Sequence, residues 1–510
     1  MQSLRLPFRL VNEQQQQQQS SLSNKTLMFH VEGALLRSSS LFPYFMLVAF
    51  EGGGIIRALL LFLLYPLVYL VGEEMGLKIV VFVCFVGIRE DSFRLGRTVL
   101  PKFFLEDVGY EGFDVVMRHG RKIGVSELPR VMVEGFLRDY LGVEGVVGRE
   151  LKSFCGYFVG LMEEKKWGSN FHHDIIGFGC SNKSLNQNLF SHCKVVYLVS
   201  EAKKANWQVL PREKYPKPLI FHDGRLAFRP SSKSTLSMFI WIPFGFFLGI
   251  IRIIIVLLLP YKLSIPISEF IGLRGTSSRP KTFSTPIKTN ENSKGLLYVC
   301  NHRTLLDPIY VSMTIMKPLT AVTYSLSRCS EVLSPIKTVR LTRDREKDSK
   351  MLEKLLSQGD DLVVCPEGTT CREPYLLRSS PLFAEMSDDI IPVAIDIQVG
   401  MFYGTTASGL KCLDPVFLLM NPITNCSIKL LEKLPKSLTC DAGGKSKFEV
   451  ADHLQAQIGK ALKFECTSLS RKDKYMMLAA EFYEELQIGN RGKWLFSCRD
   501  LPGSLAVATL

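Results

Sequence analysis

The sequence lacks the cysteine spacing of a zinc site and the cysteine density of a disulfide scaffold. Its thirteen cysteines are scattered, and no two of them form a CxxC pair. We therefore expect reduced cysteines in a core on the cytosolic side, and no metal site. The basic residues also lack the long tracts with interleaved aromatics that favour nucleic-acid binding. No cleavable secretory signal is expected before the first folded segment, and we find no internal repeat.

The chain has the length and the charge to hold several domains that contact anionic partners. Its 510 residues predict two or three domains with full cores. Sixty-two Lys and Arg residues against 49 Asp and Glu residues give a formal net charge of +13. This balance favours membrane headgroups and phosphorylated small molecules as partners.

One apolar run is long enough to cross a membrane. Residues 237–260 read SMFIWIPFGFFLGIIRIIIVLLLP and contain a single charge, Arg252. That charge and Pro243 leave two alternatives open, a single crossing and a re-entrant hairpin with both ends cytosolic. The apolar insert at 55–88 is interrupted, and either a membrane-dipping hairpin or buried cap helices fit it.

Shifts in composition divide the rest of the chain. Residues 1–26, with Arg5, Arg9 and a glutamine run, fit a disordered tail or a weak mitochondrial presequence. The predicted order is then an α/β region at 27–230, the membrane segment at 237–260, a polar linker at 274–294 and a second α/β region at 295–510. Predicted strands include FDVVM and PLIFH in the first region and GLLYVC, DDLVVC and IIPVAIDI in the second.

The stretch NHRTLLDP, residues 301–308, carries a candidate catalytic pair. If it leaves a strand and begins a helix, Asp307 lies close enough to hold the imidazole of His302 in one tautomer. Neutral imidazole could then act as a general base on an alcohol. The alternative is structural, with His302 as a helix cap and Asp307 in a turn.

Three further patterns follow this pair along the chain. TVRLTRDR contains Arg340, Arg343 and Arg345, which are donors suited to phosphate. CPEGTTCREPYLLR begins at Cys365, and its glycine permits close approach of a ligand to the backbone. IIPVA then adds Pro392 on a further predicted strand.

These four blocks, NHRTLLD, VRLTRDR, PEGTTCREPYLLR and IPVAIDI, resemble those of the glycerolipid acyltransferases. More closely, the chain resembles the land-plant, membrane-bound sn-glycerol-3-phosphate acyltransferases of the cutin and suberin type, and SSSLFPYFMLVAFEGGG and KPLIFHDGRLAFRP extend the likeness to the first region. The resemblance implies a mixed α/β fold with an N-terminal haloacid dehalogenase-like domain, a C-terminal acyltransferase domain and membrane-embedded helices.

The resemblance also implies roles for individual residues. His302 would deprotonate a hydroxyl of glycerol 3-phosphate, and Asp307 would orient it, so that the hydroxyl attacks acyl-CoA directly. Arg345, with Arg343 as a helper, would hold the substrate phosphate. Glu367, Gly368 and Thr369 would position the glycerol phosphate, and Pro392 would shape the acyl side. No cofactor is implied.

The first region departs from the phosphatase pattern that the resemblance implies. Where the dehalogenase-like motif has Asp-x-Asp-Gly-Thr, this chain has His30-Val31-Glu32-Gly33-Ala34. Histidine can neither form an aspartyl phosphate nor serve as the oxygen ligand that magnesium prefers. The later stretch at 177–190 contains no acid, and only Asp174 lies just before it. We therefore expect an inactive phosphatase domain.

The expected product is lysophosphatidic acid, with sn-2 acylation implied by the resemblance alone. Two alternatives remain, a bifunctional acyltransferase and phosphatase that releases 2-monoacylglycerol, and a non-catalytic membrane scaffold. The expected location is the endoplasmic reticulum membrane with the catalytic domain in the cytosol. A mitochondrial membrane is the alternative.

Overall fold

The computed structural model describes residues 25–163, 175–180, 190, 193–280, 294–323, 331, 334–342 and 344–479. Within these ranges the chain forms two large sheets with helices packed on them, as the two predicted α/β regions require. The residues of the predicted tail before residue 25 lie outside this part of the chain.

The first region is built on a five-stranded parallel sheet in the order β3-β2-β1-β6-β7. Its central strand reads TLMFH and is buried along most of its length, as a strand covered on both faces requires. His30 ends this strand, at the edge where parallel sheets bind ligands. The strands of the region are β1 (Thr26–His30), β2 (Arg121–Pro129), β3 (Gly145–Arg149), the antiparallel pair β4 (Leu151–Phe154) and β5 (Tyr157–Met162), β6 (Ile175–Cys180) and β7 (Val195–Val199).

The second region is built on a seven-stranded mixed sheet in the order β11-β10-β12-β9-β14-β15-β8, in which only β14 and β15 pair antiparallel. Strands β9 and β12 are parallel neighbours, so the NHRTLLDP and CPEGTT segments leave the sheet side by side. The strands are β8 (Leu273–Ser278), β9 (Leu297–Cys300), β10 (Thr320–Thr323), β11 (Lys337–Arg340), β12 (Leu362–Val364), β13 (Tyr375–Leu376), β14 (Ile390–Val399), β15 (Thr424–Leu430) and β16 (Glu465–Cys466).

Helices cover both sheets and join the two regions. The largest buried apolar cluster surrounds the first sheet and also takes in Met238, Phe402 and Met420, so the regions share part of one core. The helices are α1 (Phe42–Leu70), α2 (Glu73–Phe85), α3 (Leu95–Thr98), α4 (Leu100–Leu105), α5 (Tyr110–Met117), α6 (Arg130–Leu141), α7 (Glu201–Ala205), α8 (Ser232–Leu258), α9 (Tyr261–Phe270), α10 (Asp307–Ile315), α11 (Arg345–Ser357), α12 (Asp414–Leu419), α13 (Lys447–Leu462) and α14 (Arg471–Ala479).

Two helices of the described chain, α1 and α8, are long and apolar enough to cross a membrane by length and composition. Helix α1 bends at Gly54, where φ is 78°. Before the bend its side chains are buried, and after it residues 55–71 are largely exposed. The end of α2, at 80–85, returns to the core. The insert at 55–88 is therefore a helical hairpin with an exposed apolar tip.

Helix α8 has one buried face and one exposed apolar face. Gly245, Gly249 and Arg252 are buried, and Trp241 Nε1 donates to the carbonyl of Met420 at 2.7 Å. The guanidinium of Arg252 donates to the carbonyl oxygens of Leu419 and Asn421, each at 2.6 Å. Because protein carbonyls satisfy this charge, it does not lie on the exposed apolar face of the helix.

Three predictions of local structure are wrong. The first residues of the predicted linker, 274–278, form most of edge strand β8, because they pair with β15, and residues 281–293 lie outside the described chain. FDVVM ends helix α5 rather than forming a strand. PLIFH belongs to neither a helix nor a strand in the described part of the chain.

Candidate active site

An asparagine connects the turn after β9 to β14, the neighbouring strand of the sheet. Asn301 Nδ2 donates to the carbonyl of Ile395 at 2.9 Å, and its Oδ1 accepts the Ile395 N–H at 2.8 Å. This amide therefore replaces a pair of backbone bonds between β9 and β14 where the chain leaves the sheet. His302, the next residue, is held at the carboxyl end of the strand.

Asp307 contacts the ring of His302 and also builds the turn that carries it. Its Oδ2 lies 2.9 Å from His302 Nδ1 and accepts the Arg303 N–H at 2.6 Å. Its Oδ1 accepts the Thr304 hydroxyl at 2.8 Å. Asp307 is fully buried, and helix α10 begins with it. The same carboxylate thus makes the contact to the imidazole that a catalytic pair requires and the contacts within the turn that a structural role requires.

The electrostatics of the pair favour a charged imidazole. Burial lowers the pKa of His302, but Cys365 and the carboxylate of Asp307 outweigh it and hold that pKa well above 6.5. Because Asp307 occupies Nδ1, proton transfer with a substrate would use Nε2. The arrangement can accept a proton from a hydroxyl and stabilise the imidazolium that forms.

His302 lines a cavity of about 270 Å³ with two unlike walls. One wall is apolar and comes from α8 and α10, with Ile253, Val256 and Met313 among its residues. The other wall is polar and comes from the segments around 369 and 405, with three basic residues beside them. An acyl chain suits the first wall, and a polar or anionic group suits the second.

The predicted residues of the PEGTT segment divide between the cavity and the interior. Gly368, with φ of 64°, and Thr369 line the cavity. The carboxylate of Glu367 instead accepts the N–H groups of His302 and Leu377, at 3.3 and 3.4 Å. Burial raises the pKa of Glu367 to about 8. This residue therefore supports the turn from behind.

The other predicted site residues lie farther out or outside the described chain. Arg343 is not among the described residues, and of Arg345 only the backbone is described, at the first position of α11. Arg340 is ion-paired with Glu331 at 2.8 Å. Pro392 is buried in β14, and its carbonyl accepts the Leu431 N–H. It is absent from the described lining of the cavity.

Sequence reasoning missed several residues that surround the pair. Arg303 donates to the carbonyl oxygens of Cys371 and Glu373, at 2.8 and 2.7 Å, and so fastens the two motif loops together. In the sequence, only its position next to His302 indicated that Arg303 belongs to the site. Lys411, Arg471 and Lys474 line the cavity but follow all four blocks, and no spacing in the sequence singles them out.

Two cysteine side chains meet next to the imidazole. Cys300 and Cys365 are opposite each other at the ends of β9 and β12, and their sulfur atoms lie 3.4 Å apart. Ligand atoms of His302, Asp307 and Cys365 lie within 4.8 Å of one another and could hold a metal ion. The hydrogen bond between Asp307 and Nδ1 already explains the position of the ring.

The corresponding edge of the first sheet is filled by an ion-paired network. His30 Nε2 lies 3.2 Å from Glu32 Oε2 and 3.9 Å from Glu127 Oε1. Ser126 donates to the carboxylate of Glu32, and Lys204 donates to its backbone carbonyl. All five residues are buried. An imidazole between two carboxylates thus stands where the resemblance implies an aspartate nucleophile, and Asp174 lies outside the described residues.

Comparison with known proteins assigns both regions. Residues 26–199 match a family model described as the HAD-like domain of RAM2-like glycerol-3-phosphate acyltransferases, and residues 280–396 match the acyltransferase model. Over 479 residues the chain is 56% identical to probable glycerol-3-phosphate acyltransferase 3 of Arabidopsis thaliana, with 90% of this chain and 91% of the relative covered. The chain belongs to the glycerol-3-phosphate acyltransferase family.

Two further comparisons accompany this assignment. Glycerol-3-phosphate acyltransferase RAM2 of Petunia hybrida is 42% identical over 469 residues, covering 88% of this chain and 96% of the relative. The solved 1-acyl-sn-glycerophosphate acyltransferase PlsC of Thermotoga maritima aligns with a TM-score of 0.28 and 14% identity, covering 44% of this chain and 92% of that chain.

Membership of the glycerol-3-phosphate acyltransferase family confirms several predictions. The resemblance stated from the four blocks is correct, and so is the fold class, with a HAD-like region before an acyltransferase region. The acyltransferase enzyme class and a plant origin of the family are confirmed as well. The roles predicted for individual residues stay predictions.

Proposed function

We propose that this acyltransferase moves an acyl chain from acyl-CoA to a hydroxyl of glycerol 3-phosphate and releases lysophosphatidic acid and CoA. One observation carries the proposal. The His302–Asp307 pair opens onto a cavity that is apolar on one side and basic on the other. The apolar side suits the acyl chain of acyl-CoA, and the basic side suits the phosphate groups that both substrates carry.

The proposed reaction is a direct transfer. Nε2 of His302 takes the proton of the glycerol hydroxyl while its oxygen attacks the thioester carbonyl. The tetrahedral intermediate then collapses, the C–S bond breaks, and the CoA thiolate leaves and takes up the proton. Asp307 keeps Nδ1 protonated throughout and stabilises the imidazolium. We propose that no resident cofactor or metal takes part.

The phosphate is proposed to meet arginine as well as the PEGTT loop. Arg345, with Arg343 beside it, remains the proposed holder of the phosphate, since guanidinium groups bind it in a bidentate manner. Gly368 and Thr369 are proposed to position the glycerol part, because both line the cavity. Glu367 would act indirectly, through the N–H of His302.

The acyl chain is proposed to reach the site from a bilayer. Helix α8 contributes Ile253 and Val256 to the cavity, while Phe244 and Phe247 are exposed on its outer side. The hairpin of α1 and α2 exposes further apolar side chains, including Ile56 and Leu63. Exposed apolar surface of this extent is typical of membrane contact. We propose the endoplasmic reticulum membrane, with the catalytic domain in the cytosol.

The product is proposed to keep its phosphate. Position 30 offers imidazole instead of the carboxylate that would form an aspartyl phosphate, and Glu32 and Glu127 flank it. A second reaction to monoacylglycerol would need that nucleophile. We further propose acylation at sn-2 and a role in extracellular lipid polyesters, on the strength of the family resemblance.

The test is product analysis with purified protein, labelled glycerol 3-phosphate and a panel of acyl-CoAs. The wild type should form labelled lysophosphatidic acid, and His302→Ala should not. His453→Ala is the matched control, because His453 lies on α13, away from the cavity. Full activity in His302→Ala would refute the proposed mechanism.

A further inference from the structure

Three basic side chains gather on the polar side of the cavity. Lys411, Arg471 and Lys474 all line it, together with His302. Lys411 Nζ donates to the hydroxyl of Tyr475 at 3.3 Å, and the guanidinium of Arg471 lies 5.5 Å from the ring centre of Tyr475. Within the described part of the chain, none of the three has a carboxylate at ion-pairing distance. No direct ion pair to a described carboxylate therefore neutralises these three cations, although Asp414 also lines the cavity and is itself paired with Arg225.

Lys474 is the most unusual of the three because it is buried. Only 8% of its surface is exposed, and its Nζ donates to the carbonyl and hydroxyl oxygens of Thr370, at 2.5 and 3.4 Å. Burial lowers its pKa to about 8. Buried ammonium groups are normally paired with an anion. A site that holds this ammonium beside a cavity, without a carboxylate, is built to receive a negative charge from a ligand.

The ammonium is hydrogen-bonded to the loop that contacts the candidate base. Thr370, which accepts from Lys474, precedes Cys371, whose N–H donates to the carbonyl of His302 at 2.9 Å. A short chain of hydrogen bonds therefore links Lys474 to the backbone of His302, and both side chains line the same cavity. Helix α14, which carries it, lies beyond residues 280–396, which match the acyltransferase model.

We propose that Lys474, assisted by Lys411 and Arg471, binds the phosphate of glycerol 3-phosphate. This inference rests on the proposed function. Two substrates carry phosphate, and their lengths decide between them. In glycerol 3-phosphate only a few bonds separate the reacting hydroxyl from the phosphate, whereas the long pantetheine arm of acyl-CoA separates the thioester from its phosphates. A cation that is hydrogen-bonded to the loop that contacts His302 therefore suits the shorter molecule.

The site adds a second set of donors to the proposed arginine block. A phosphate monoester is close to doubly charged at neutral pH and has three acceptor oxygens. The ammonium of Lys474 can donate to one of them, and Lys411 and Arg471 can donate to others. In this arrangement Lys474 is a binding residue rather than a proton carrier.

Direct binding of glycerol 3-phosphate tests the inference without turnover. Titration calorimetry on the full-length protein, without acyl donor, compares the wild type with Lys474→Met, which keeps the side-chain length but loses the charge. We expect binding to weaken about 10- to 100-fold, the loss of one charged hydrogen bond. Lys472→Met on the exposed side of the same helix is the control and should bind as the wild type does. Lys474→Arg should restore most of the affinity, which a purely structural role would not predict.

Steady-state kinetics distinguish the two phosphate sources. Lys474→Met should raise KM for glycerol 3-phosphate and leave KM for acyl-CoA nearly unchanged. A rise confined to acyl-CoA would overturn the inference and assign the site to the CoA phosphates, and unchanged binding of glycerol 3-phosphate would overturn it as well. If the wild type binds glycerol 3-phosphate but forms no acylated product, the proposed function fails while the phosphate site stands. If Lys474→Met forms lysophosphatidic acid with unchanged kinetics, the phosphate site fails while the proposed function stands.

Discussion

Replacing Asp307 by asparagine tests whether this carboxylate acts on the imidazole or only on the turn. Asparagine has the same shape, so its amide oxygen can keep the bonds to His302 Nδ1 and the Arg303 N–H, which are 2.9 and 2.6 Å long. The negative charge beside the ring is lost. Because Asp307 is fully buried, this charge is screened little by solvent.

The size of the effect follows from the distance between the charges. Two unit charges about 4 Å apart interact with roughly 4 kcal/mol at an effective dielectric constant of about 20. The imidazolium that forms during proton transfer would lose stabilisation of this order. Since about 1.4 kcal/mol is a factor of ten in rate, we expect kcat to fall about 10³-fold. The fall should appear in kcat more than in KM, because the charge develops in the transition state.

The pH profile gives a second, independent readout. The raised pKa of His302 keeps the imidazole protonated above pH 6.5, so wild-type activity should rise as the pH increases through that raised value. In Asp307→Asn the pKa of His302 falls, and the acidic limb should move to lower pH even though the plateau is lower. Acyl transfer from acyl-CoA, measured by thiol release from pH 5 to 9, reports both quantities.

Two outcomes would refute this reasoning. A fall of less than tenfold in kcat would mean that the charge does not act on the reacting imidazole. If the acidic limb of Asp307→Asn stays at the wild-type pH and only its melting temperature falls, Asp307 stabilises the turn and does not act on the imidazole. Asp360→Asn is the control, because its carboxylate pairs with Lys337 at the exposed, opposite end of the sheet.

Three further predictions concern other parts of the molecule. Burial raises the pKa of Glu367 to about 8, so its protonated form stabilises the fold fully below pH 4.5, and this contribution is lost as the pH rises through 8. The melting temperature of Glu367→Gln should therefore depend less on pH between 5 and 8 than that of the wild type. Exchanging Phe244 and Phe247 for aspartate should weaken sedimentation with lipid vesicles at least tenfold, whereas Phe154→Asp, exposed on β4, should bind as the wild type does. Purified wild type given lysophosphatidic acid and magnesium should release no inorganic phosphate, and release at a rate comparable to acyl transfer would revive the bifunctional alternative.

Regular patterns in the sequence predicted the three central strands of the second sheet. GLLYVC, DDLVVC and IIPVAIDI are short apolar runs bounded by turn residues, and each contains a strand. FDVVM failed because a short run with four apolar residues out of five fits a helix as well as a strand, and packing decides between them. The start of the predicted linker failed because an exposed edge strand of polar residues has no apolar signal, and only its pairing with β15 defines it.

The sequence by itself determined the order of the four blocks, and with it the family, the pair His302 and Asp307 and the loss of an aspartate at position 30. These follow from residue identity, which no fold can change. The tertiary structure decided which groups share a cavity. It turned Glu367 toward the backbone of His302, removed Arg252 from the exposed face of α8 by surrounding it with carbonyls, and placed Lys474 beside a loop about 100 residues earlier. Such contacts depend on how segments far apart in the sequence pack together, and the local sequence around each residue does not specify that packing.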